Sequence, residues 1–455
     1  MKNKLLKILS FVFLIVFIPV INYADDDYLD EYVDDIEILQ TIETSTDIDK
    51  EPQINSRHAV VFDRASKTAI YGKKETEQCK MASTTKIMTA IVVIENSNLS
   101  DTVTISSKAS HTGGSRLGLS TDDTITVENL LYGLMMKSGN DAAVALAEYV
   151  GGDIENFATL MNKKASELNL QSTHFITPHG LDNDEHYTTA LDLAILTNYA
   201  LENETFAKIV KTKTYTLIIN GNPKTINNTN ELLGNFDGIY GVKTGFTNGA
   251  NRCLVTSCKR GDLDIICVVL GCDTKKDRTK DSVKLLNYVF NNFSLVNVED
   301  FLEKDFENWY SEHKNSFIIN KGISQTLILY LNKKDIPFSH IAVKKSETSE
   351  LYTDISFTSY FEAPVIKDSE IGKIELKLDD KEYFSVKILA DNTIDKKNSL
   401  NYLIYIFKYY FNFFNQIVYW KIAMCKAILR MTIFYFLFPI SIFCKCFFLY
   451  KTRKL

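Results

Sequence analysis

A serine and a lysine stand three positions apart in the segment Met81-Ala82-Ser83-Thr84-Thr85-Lys86, directly before the apolar run Ile87 to Ile94. At the start of a helix, residues three positions apart lie on one face, so the Lys86 amine can reach the Ser83 hydroxyl. The helix dipole would favour an anionic oxygen at Ser83, and apolar surroundings would favour the neutral amine that a general base requires. The segment therefore predicts an activated serine nucleophile.

The Ser-x-x-Lys spacing is not specific by itself. It recurs at Ser311-Glu312-His313-Lys314, in a polar stretch with no apolar run behind it. Taken alone, the first motif fits a simpler interpretation better, with Ser83 as a helix N-cap and Lys86 as a solvated residue of the first turn. The rest of the chain must decide between the two.

Two further motifs supply groups that a lone Ser-x-x-Lys pair lacks. Ser138-Gly139-Asn140 falls in the break between two helical patterns, and Lys243-Thr244-Gly245 lies on a predicted β-strand. Acyl transfer from an amide needs a nucleophile, a base, a proton donor for the leaving amine and N–H groups for the oxyanion. The order and predicted placement of the three motifs favour this chemistry.

Each side chain of the two added motifs has a part in such a reaction. Ser138 can relay a proton toward the leaving nitrogen, and Asn140 can hold a substrate carbonyl and orient the lysine. Lys243 adds positive charge toward a substrate carboxylate. Gly245 has no side chain, so a substrate backbone can dock along the strand edge beside it.

The elements predicted around these motifs form an α+β domain over residues 52–295. A hairpin pattern at 59–71 precedes Ser83, and helical patterns occupy much of the region from 127 to 200. Strand patterns return between 214 and 270, and a helical pattern follows at about 281–293. Because strands open and close the region and helices fill its middle, distant strands are expected to pair in one sheet.

The N-terminus is typical of a secretory signal peptide. Lysines at positions 2, 4 and 7 precede an apolar stretch from about 8 to 21, and small Ala24 suits the position before the cleavage site. The signal peptide is therefore assigned to residues 1–24, with an uncleaved membrane anchor as the alternative. Residues 25–51 are acidic and are predicted to be a solvated linker. Under either interpretation, most of the chain is exported.

The C-terminal third changes character twice. Residues 296–393 contain short strand-like runs between charged turns and predict a small all-β domain. Residues 394–455 are dense in Phe, Tyr and Ile, and most of their polar residues fall near one helical stripe, although Lys421 lies opposite. The segment Met431 to Phe448 is long enough to span a bilayer. The tail is therefore predicted to be a membrane anchor, with interfacial and spanning modes both open.

Composition argues against several other functions. The net charge of −6 and the absence of a basic stripe give no indication of nucleic acid binding. Most of the eight cysteines lie in apolar strand patterns or in the tail, where buried small side chains are expected rather than disulfides or zinc ligands. A zinc site at His174, His179, Asp182 and His186 is a weaker alternative, because no H-x-x-x-H helix pattern is present. No metal or cofactor is predicted.

The three motifs together resemble those of the serine-type D-alanyl-D-alanine carboxypeptidases, the low-molecular-mass penicillin-binding proteins of peptidase family S11. The segments 131–143 and Pro178-His179-Gly180-Leu181-Asp182 are similar to family segments as well. The resemblance implies a β-lactamase/transpeptidase-like domain, an antiparallel sheet with helices, followed by the small β domain and the anchor. It also implies location at the outer face of the cytoplasmic membrane.

The same resemblance implies a function and further site residues. It implies removal of the terminal D-alanine from peptidoglycan stem pentapeptides through an acyl-enzyme on Ser83, with β-lactams acylating the same serine. It implies substrate contacts along Lys243, Thr244 and Gly245, and an oxyanion hole from the backbone amides of Ser83 and Phe246. An arginine that binds the terminal carboxylate in relatives maps, by spacing alone, onto Arg278.

Two alternatives remain open at this point. A β-lactamase shares the first steps, but no clearly placed equivalent of the glutamate that activates the deacylating water in class A enzymes is found. A non-catalytic envelope protein that binds peptidoglycan is disfavoured by the intact set Ser83, Lys86, Ser138, Asn140 and Lys243. The sequence leaves open the third stem-peptide residue, any transpeptidase activity, and a vegetative or a sporulation role.

Overall fold

The computed structural model describes residues 50–451, apart from 348–349 and 379–380. The predicted signal peptide and nearly all of the predicted acidic linker lie outside the described residues. The chain divides into two compact units. One holds the described residues up to Phe301 together with Pro337–Tyr352, and the other holds Leu302–Ile336 and the described residues from Thr353 onward.

The described residues form the following elements. The helices are α1 (Lys86–Asn96), α2 (Ser107–Ser110), α3 (Val127–Met136), α4 (Asn140–Gly151), α5 (Ile154–Glu167), α6 (Ala190–Glu202), α7 (Glu204–Lys211), α8 (Lys275–Asn292), α9 (Val298–His313) and α10 (Ser399–Lys451). The strands are β1 (His58–Asp63), β2 (Thr68–Lys73), β3 (Thr102–Thr104), β4 (Thr124–Thr126), β5 (Thr214–Ile219), β6 (Asn222–Asn227), β7 (Ile239–Thr247), β8 (Asn251–Arg260), β9 (Leu263–Cys272), β10 (Phe293–Asn297), β11 (Ile318–Asn320), β12 (Leu329–Leu331), β13 (His340–Lys344), β14 (Leu351–Phe357), β15 (Tyr360–Glu362), β16 (Glu370–Leu378) and β17 (Lys381–Ala390).

The first unit is built on a five-stranded antiparallel sheet with strand order β2-β1-β9-β8-β7. Strand β1 pairs with β9, so that Val61 lies opposite Cys267. The predicted pairing of strands from the two ends of this region is therefore confirmed. It places β7, with its Lys-Thr-Gly motif, at one edge of the sheet, where only one side of the strand is paired within the sheet.

Helices cover both faces of this sheet. Successive side chains of a strand point to opposite faces. Val60 and Phe62 pack into a core with α1, α3 and α4, whereas Ala59 and Val61 pack into a second core with α8. Because both faces are covered, β1 reads as a continuous apolar run, and burying each of its larger side chains stabilises the fold by roughly 1.5–3 kcal/mol.

Side-chain caps explain where several helices begin. Thr126 Oγ1 accepts a hydrogen bond from Asn129 N (3.3 Å) at the start of α3, and Thr274 Oγ1 accepts one from Asp277 N (3.0 Å) at the start of α8. Such a cap satisfies a backbone N–H that has no partner inside the helix and contributes about 1 kcal/mol. Helix α8 therefore starts at Lys275, which places its first turn beside the cavity described below.

The second unit contains a four-stranded sheet with order β12-β17-β16-β14. Strands β16 and β17 form an antiparallel hairpin whose inward side chains include Ile374, Leu376, Val386 and Ile388. The all-β character predicted for this part of the chain is confirmed. Helix α9, at the start of the same region, was not predicted from the sequence, and strand β13 pairs with β10 in the first unit.

Helix α10 forms the described part of the C-terminal tail. It runs for 53 residues, which at about 1.5 Å per residue is roughly 80 Å. Its segment Ser399–Ile442 is long and apolar enough to cross a membrane, and none of its most apolar stretch is buried against the protein. Many of its Phe, Tyr and Ile side chains are exposed, and an apolar surface of this size marks a site of interaction with a membrane or a protein.

Candidate active site

Ser83 lies in a 3₁₀ turn, Ala82–Thr85, that continues directly into α1. Neither the turn nor α1 has a side-chain cap hydrogen bond, so Ser83 is not a helix N-cap. Lys86, the first residue of α1, is fully buried rather than solvated. The simpler interpretation of the Ser-x-x-Lys motif is therefore wrong, because the turn directs both side chains inward.

The Lys86 side chain joins three parts of the unit. Its Nζ donates hydrogen bonds to Ser83 Oγ (2.7 Å), Asn140 Oδ1 (2.7 Å) and the carbonyl oxygen of His179 (3.0 Å). These partners come from the turn, from α4 and from the loop between α5 and α6. The arrangement fixes the amine beside the serine hydroxyl.

The Ser138-Gly139-Asn140 motif lies in the break between α3 and α4, as predicted. Ser138 has a φ of 60° in the left-handed region, which turns the chain between the two helices. Asn140 donates from its backbone N to Ser115 O (2.7 Å) and from Nδ2 to Gly113 O (2.7 Å). Its amide oxygen is thereby left to accept from Lys86.

Asp141 was not predicted as a site residue, although it directly follows this motif. Its carboxylate is buried and accepts hydrogen bonds from the backbone N–H groups of Leu117 (2.8 Å), Gly118 (2.8 Å) and Leu119 (3.0 Å). It therefore holds the loop over residues 113–119 against the start of α4. That loop provides the carbonyl groups that orient Asn140.

Strand β7 lies against the turn that carries Ser83. A Cβ atom added at Gly245 would lie 3.2 Å from Ser83 N and 3.2 Å from Ala82 Cβ, which is tighter than ordinary contact. Lys243 is buried and donates to the carbonyl of Thr244 (2.8 Å), and the Thr244 hydroxyl shares a hydrogen bond with Thr229 (2.8 Å). The absence of a side chain at Gly245 therefore allows β7 to pack closely against the turn that carries Ser83.

Phe246 follows Gly245 on β7. The guanidinium of Arg252, from the neighbouring strand β8, lies 3.8 Å from the centre of the Phe246 ring, within the range of a cation–π interaction. This contact holds the aromatic ring at the sheet edge. Phe246 directly follows Gly245, the residue that packs against the turn carrying Ser83.

Arg278 is buried in the first turn of α8 and forms an ion pair with Glu231. Its Nη2 atom lies 2.8 Å from Glu231 Oε2, and Lys275 Nζ lies 2.8 Å from Glu231 Oε1. Burial by itself would raise the pKa of Glu231, but Arg278 and Lys275 outweigh that effect and hold it below its usual value. Neither Glu231 nor Lys275 was identified from the sequence.

A cavity of about 360 Å³ brings most of the predicted residues together. Positive side chains outnumber negative ones around it, and Lys86, Asn140 and Lys243 lie buried behind its wall. The lining residues are Ser83, Gly114, Ser115, Arg116, Lys137, Ser138, Thr229, Glu231, Thr244, Gly245, Phe246, Lys275 and Arg278.

The histidines considered as zinc ligands have other partners. His186 hydrogen-bonds through both ring nitrogens, to Thr85 Oγ1 and to the backbone N–H of Ile176. Burial, together with nearby Lys86, lowers the pKa of His179 to about 3, and its Nδ1 accepts from Leu181 N. Among the residues that the structure describes, no group of three or more His, Cys, Asp or Glu is placed to hold a metal ion.

The cysteines of β8 and β9 fill the core. Cys253, Cys258, Cys267 and Cys272 are free and buried, and burial raises the pKa of each thiol. They act as small apolar side chains, as predicted.

Comparison with known proteins assigns the family. The model of the D-alanyl-D-alanine carboxypeptidase family matches residues 45–274, which is half of the chain, and the model of the penicillin-binding protein 5 C-terminal domain matches residues 319–396. The chain belongs to the D-alanyl-D-alanine carboxypeptidase family. The match includes all three motifs that line or support the cavity.

Two members of this family align with the chain over most of their length. D-alanyl-D-alanine carboxypeptidase DacF of Bacillus subtilis is 31% identical over 76% of this chain and 88% of its own. D-alanyl-D-alanine carboxypeptidase DacD of Escherichia coli is 33% identical over 73% of this chain and 84% of its own.

Solved structures of the family share the fold. Penicillin-binding protein 5 of Haemophilus influenzae superposes with a TM-score of 0.61 at 28% identity, over 76% of this chain and 99% of that one. The DD-transpeptidase of Streptomyces K15 superposes with a TM-score of 0.51 at 36% identity, over 53% of this chain and 99% of that one. The carboxypeptidase fold predicted from the motifs is confirmed.

Proposed function

We propose that this protein is a serine-type D-alanyl-D-alanine carboxypeptidase, a hydrolase that removes the terminal D-alanine from peptidoglycan stem pentapeptides through an acyl-enzyme on Ser83. Membership of the family supports the activity. The observation that carries the assignment of residues is the contact of 2.7 Å between Lys86 Nζ and Ser83 Oγ at the edge of a cavity large enough for a peptide terminus.

In this proposal Lys86 acts as the general base. A neutral amine has two N–H bonds and one lone pair. Asn140 Oδ1 and the His179 carbonyl can accept the two N–H bonds, which leaves the lone pair directed at the Ser83 hydroxyl. Removing an ammonium group from water is costly, so full burial favours this neutral form. The oxygen of Ser83 would then lose its proton to Lys86 as it attacks.

The carbonyl of the scissile peptide bond would lie against β7. The attacking oxygen bonds to the carbonyl carbon, and the backbone amides of Ser83 and Phe246 would donate to the resulting oxyanion. Close packing of Gly245 on the Ser83 turn supports this placement, since it brings the two amides toward one another. The substrate backbone would extend along the outer edge of β7 as an added strand.

The leaving group would receive its proton through Ser138, which lines the same cavity. The C–N bond breaks, D-alanine departs as the amine, and the shortened peptide stays esterified to Ser83. Water then attacks the ester, its proton passes to the enzyme, and the serine is restored. Lys243 would supply positive charge to the same network.

The terminal carboxylate of the substrate would bind at the cationic wall of the cavity. Arg278 is buried there beside Lys275, in the first turn of α8, where the helix dipole adds positive potential. Glu231 cancels part of this charge. Thr244 lines the cavity and would contact the substrate through its side chain, whereas the buried Lys243 would act on the substrate through its charge.

We further propose that the enzyme works outside the cytoplasmic membrane, in cell-wall synthesis or remodelling, and that β-lactams acylate Ser83. The predicted signal peptide supports export, and the exposed apolar surface of α10 supports membrane attachment, by lying in the interface or by spanning. The chain would then comprise a catalytic domain at 52–295, a small β domain at 296–393 and an anchor at 394–455. No cofactor, metal or nucleic acid enters this proposal.

Two assays test the proposal. A fluorescent penicillin is expected to label the purified protein and not its Ser83→Ala variant, and equal labelling of both would refute the acyl-enzyme. D-alanine release from diacetyl-Lys-D-Ala-D-Ala, measured beside nitrocefin turnover, separates a carboxypeptidase from a β-lactamase. Fast nitrocefin hydrolysis without D-alanine release would favour the β-lactamase, and labelling without either turnover would favour a binding protein.

A further inference from the structure

The turn that carries Ser83 has a backbone conformation that residues other than glycine rarely adopt. Ala82 has a φ of 48°, in the left-handed region, and is buried. A strained conformation of this kind persists only where the surrounding contacts enforce it, and it is often found beside reacting groups. The contacts made by Ala82 therefore decide where the next residue, Ser83, is held.

A short relay of hydrogen bonds ends on the Ala82 carbonyl. Thr85 Oγ1 donates to Ala82 O (2.8 Å) and lies 2.8 Å from His186 Nε2. The other ring nitrogen, His186 Nδ1, accepts from the backbone N–H of Ile176 (3.0 Å). Because Nδ1 accepts, the neutral ring carries its proton on Nε2, and it must donate that proton to Thr85. The Thr85 hydroxyl is thus free to donate its own proton to Ala82.

The surroundings of His186 keep its ring neutral, which fixes the direction of the hydrogen bonds from His186 to Thr85 and from Thr85 to Ala82. Burial lowers the pKa of His186 to about 4, and the nearby His174 lowers it further while Asp182 opposes the shift. The ring is therefore neutral at pH 7. Both relay side chains are almost fully buried, with Thr85 at 0% and His186 at 2% exposure.

The loop that carries His186 is also tied to the chain before the turn. Cys79 and Thr188 exchange two backbone hydrogen bonds, of 2.8 and 3.0 Å. Gly180, from the same loop, packs so closely on the Ala82 carbonyl that a Cβ atom there would overlap it. The loop therefore contacts the turn at Ala82 from two directions.

We propose that Thr85 and His186 are positioning residues that hold the Ala82 carbonyl, and through it fix the Ser83 hydroxyl and amide for attack. Both lie behind the turn, so they act through Ser83 rather than on the substrate. This inference rests on the proposed acyl-enzyme function, and it adds to the residues that the motifs identify. It predicts that the relay governs the rate of acylation rather than the binding that precedes it.

The test measures acylation of the full chain by fluorescent penicillin over a range of concentrations, which separates the binding constant from the acylation rate constant. Thr85→Val is expected to lower the rate constant roughly tenfold or more, since small misplacements of reacting groups are costly. The binding constant should stay within about twofold, because the cavity lining is unchanged. Thr85→Ser keeps the hydroxyl and should restore the rate.

Thr89→Val is the matched control. Thr89 is a buried threonine in α1, one turn after Thr85, and its hydroxyl donates to the carbonyl of Pro178 in the same loop rather than to that of Ala82. The Thr89→Val variant should lose as much thermal stability as Thr85→Val but keep the wild-type acylation rate. Equal slowing in Thr89→Val, or a wild-type rate in Thr85→Val, would overturn the proposal.

A second pair of variants covers the case in which Thr85→Val fails to fold. His186→Gln can present an N–H to Thr85, whereas His186→Phe has a ring of similar size and no N–H. The glutamine variant is expected to acylate faster, with both rates referred to the titrated fraction of active protein. Equal rates would contradict the relay. If wild-type protein is not labelled at all, the proposed function fails instead, and this inference fails with it.

Discussion

At the residue scale, the proposed chemistry depends on a lysine that is buried away from water but keeps its hydrogen-bonding partners. Lys86 is fully buried, and its Nζ forms hydrogen bonds with the hydroxyl of Ser83 and the side chain of Asn140. A buried amine in such a site can serve as a base. The difference in burial explains why the Ser-x-x-Lys motif at 311–314 has no comparable role. Lys314, unlike Lys86, lies in an exposed stretch.

Replacing the base tests this account directly. Lys86→Met keeps the approximate volume and apolar stem but removes the amine, so acylation of Ser83 should slow by roughly 10²–10⁴-fold, the usual contribution of a positioned base. The measurement is the time course of fluorescent penicillin labelling, with circular dichroism melting as a control for folding. A labelling rate within about tenfold of wild type in a folded variant would exclude Lys86 as the base.

The buried histidines make folding stability depend on pH. The pKa values of His179 and His186 fall from 6.5 to about 3 and about 4 on folding, chiefly because both rings are buried. The unfolded chain therefore binds protons below pH 6.5 that the folded protein does not bind. Stability should be greatest above that pH and should decline as the pH falls toward 4, by about 3 kcal/mol for His186 alone.

Urea unfolding at pH 7.5, 6.0 and 4.5 measures this dependence. His186→Gln removes the titrating group, so its stability should fall less steeply with decreasing pH than that of the wild type. Identical slopes for wild type and His186→Gln would contradict the assignment.

At the element scale, the site is assembled by three connections rather than by any one helix or strand. The turn before α1 supplies Ser83, the break between α3 and α4 supplies Asn140, and edge strand β7 supplies Gly245. Asp141 fastens the second of these, because its carboxylate accepts three backbone N–H groups from the loop at 117–119. Loss of this carboxylate should therefore loosen the loop.

Asp141→Asn gives a specific expectation. The amide would turn an N–H₂ group toward backbone donors, leaving at least one buried donor unpaired, which should cost about 1–3 kcal/mol in the free energy of unfolding. Urea denaturation measures the change. The control is Asp153→Asn at the partly exposed N-cap of α5, where asparagine caps as well as aspartate and little change is expected. Equal losses in the two variants would argue against the loop anchor.

At the scale of the whole molecule, the cavity and the long apolar helix α10 belong to different compact units. The first unit holds every residue that lines the cavity. Helix α10 belongs to the second unit and exposes a surface that water does not favour. The proposal that α10 anchors the protein is therefore separable from the chemistry.

Deletion of residues 399–455 tests this separation. The truncated protein, expressed without the signal peptide, should stay in the supernatant when phospholipid vesicles are sedimented, whereas the chain that retains the tail should sediment with them. Because the cavity contains no residue of the tail, the penicillin acylation rate constant should be unchanged. Continued sedimentation of the truncated protein with vesicles would place the membrane contact elsewhere.

Sequence alone was sufficient to propose the reacting groups. Ser83, Lys86, Ser138, Asn140 and Lys243 could be proposed because their side-chain chemistry and order along the chain restrict the reaction to acyl transfer, and local patterns placed them on a turn, a helix break and a strand. The pairing of distant strands also followed from the alternation of strands and helices. These features depend on residue type and short-range spacing, which the sequence displays directly.

Only the tertiary structure decided how those groups are held. Asp141, Glu231, Lys275 and His186 carry no local signal for their roles, because their partners lie 10 to 101 positions away along the chain. The structure also decided that Lys86 is buried rather than solvated, since the burial of a helix residue depends on what packs over it. Long-range packing fixes burial, electrostatics and backbone strain, and these convert a common spacing of serine and lysine into a proposed catalytic pair.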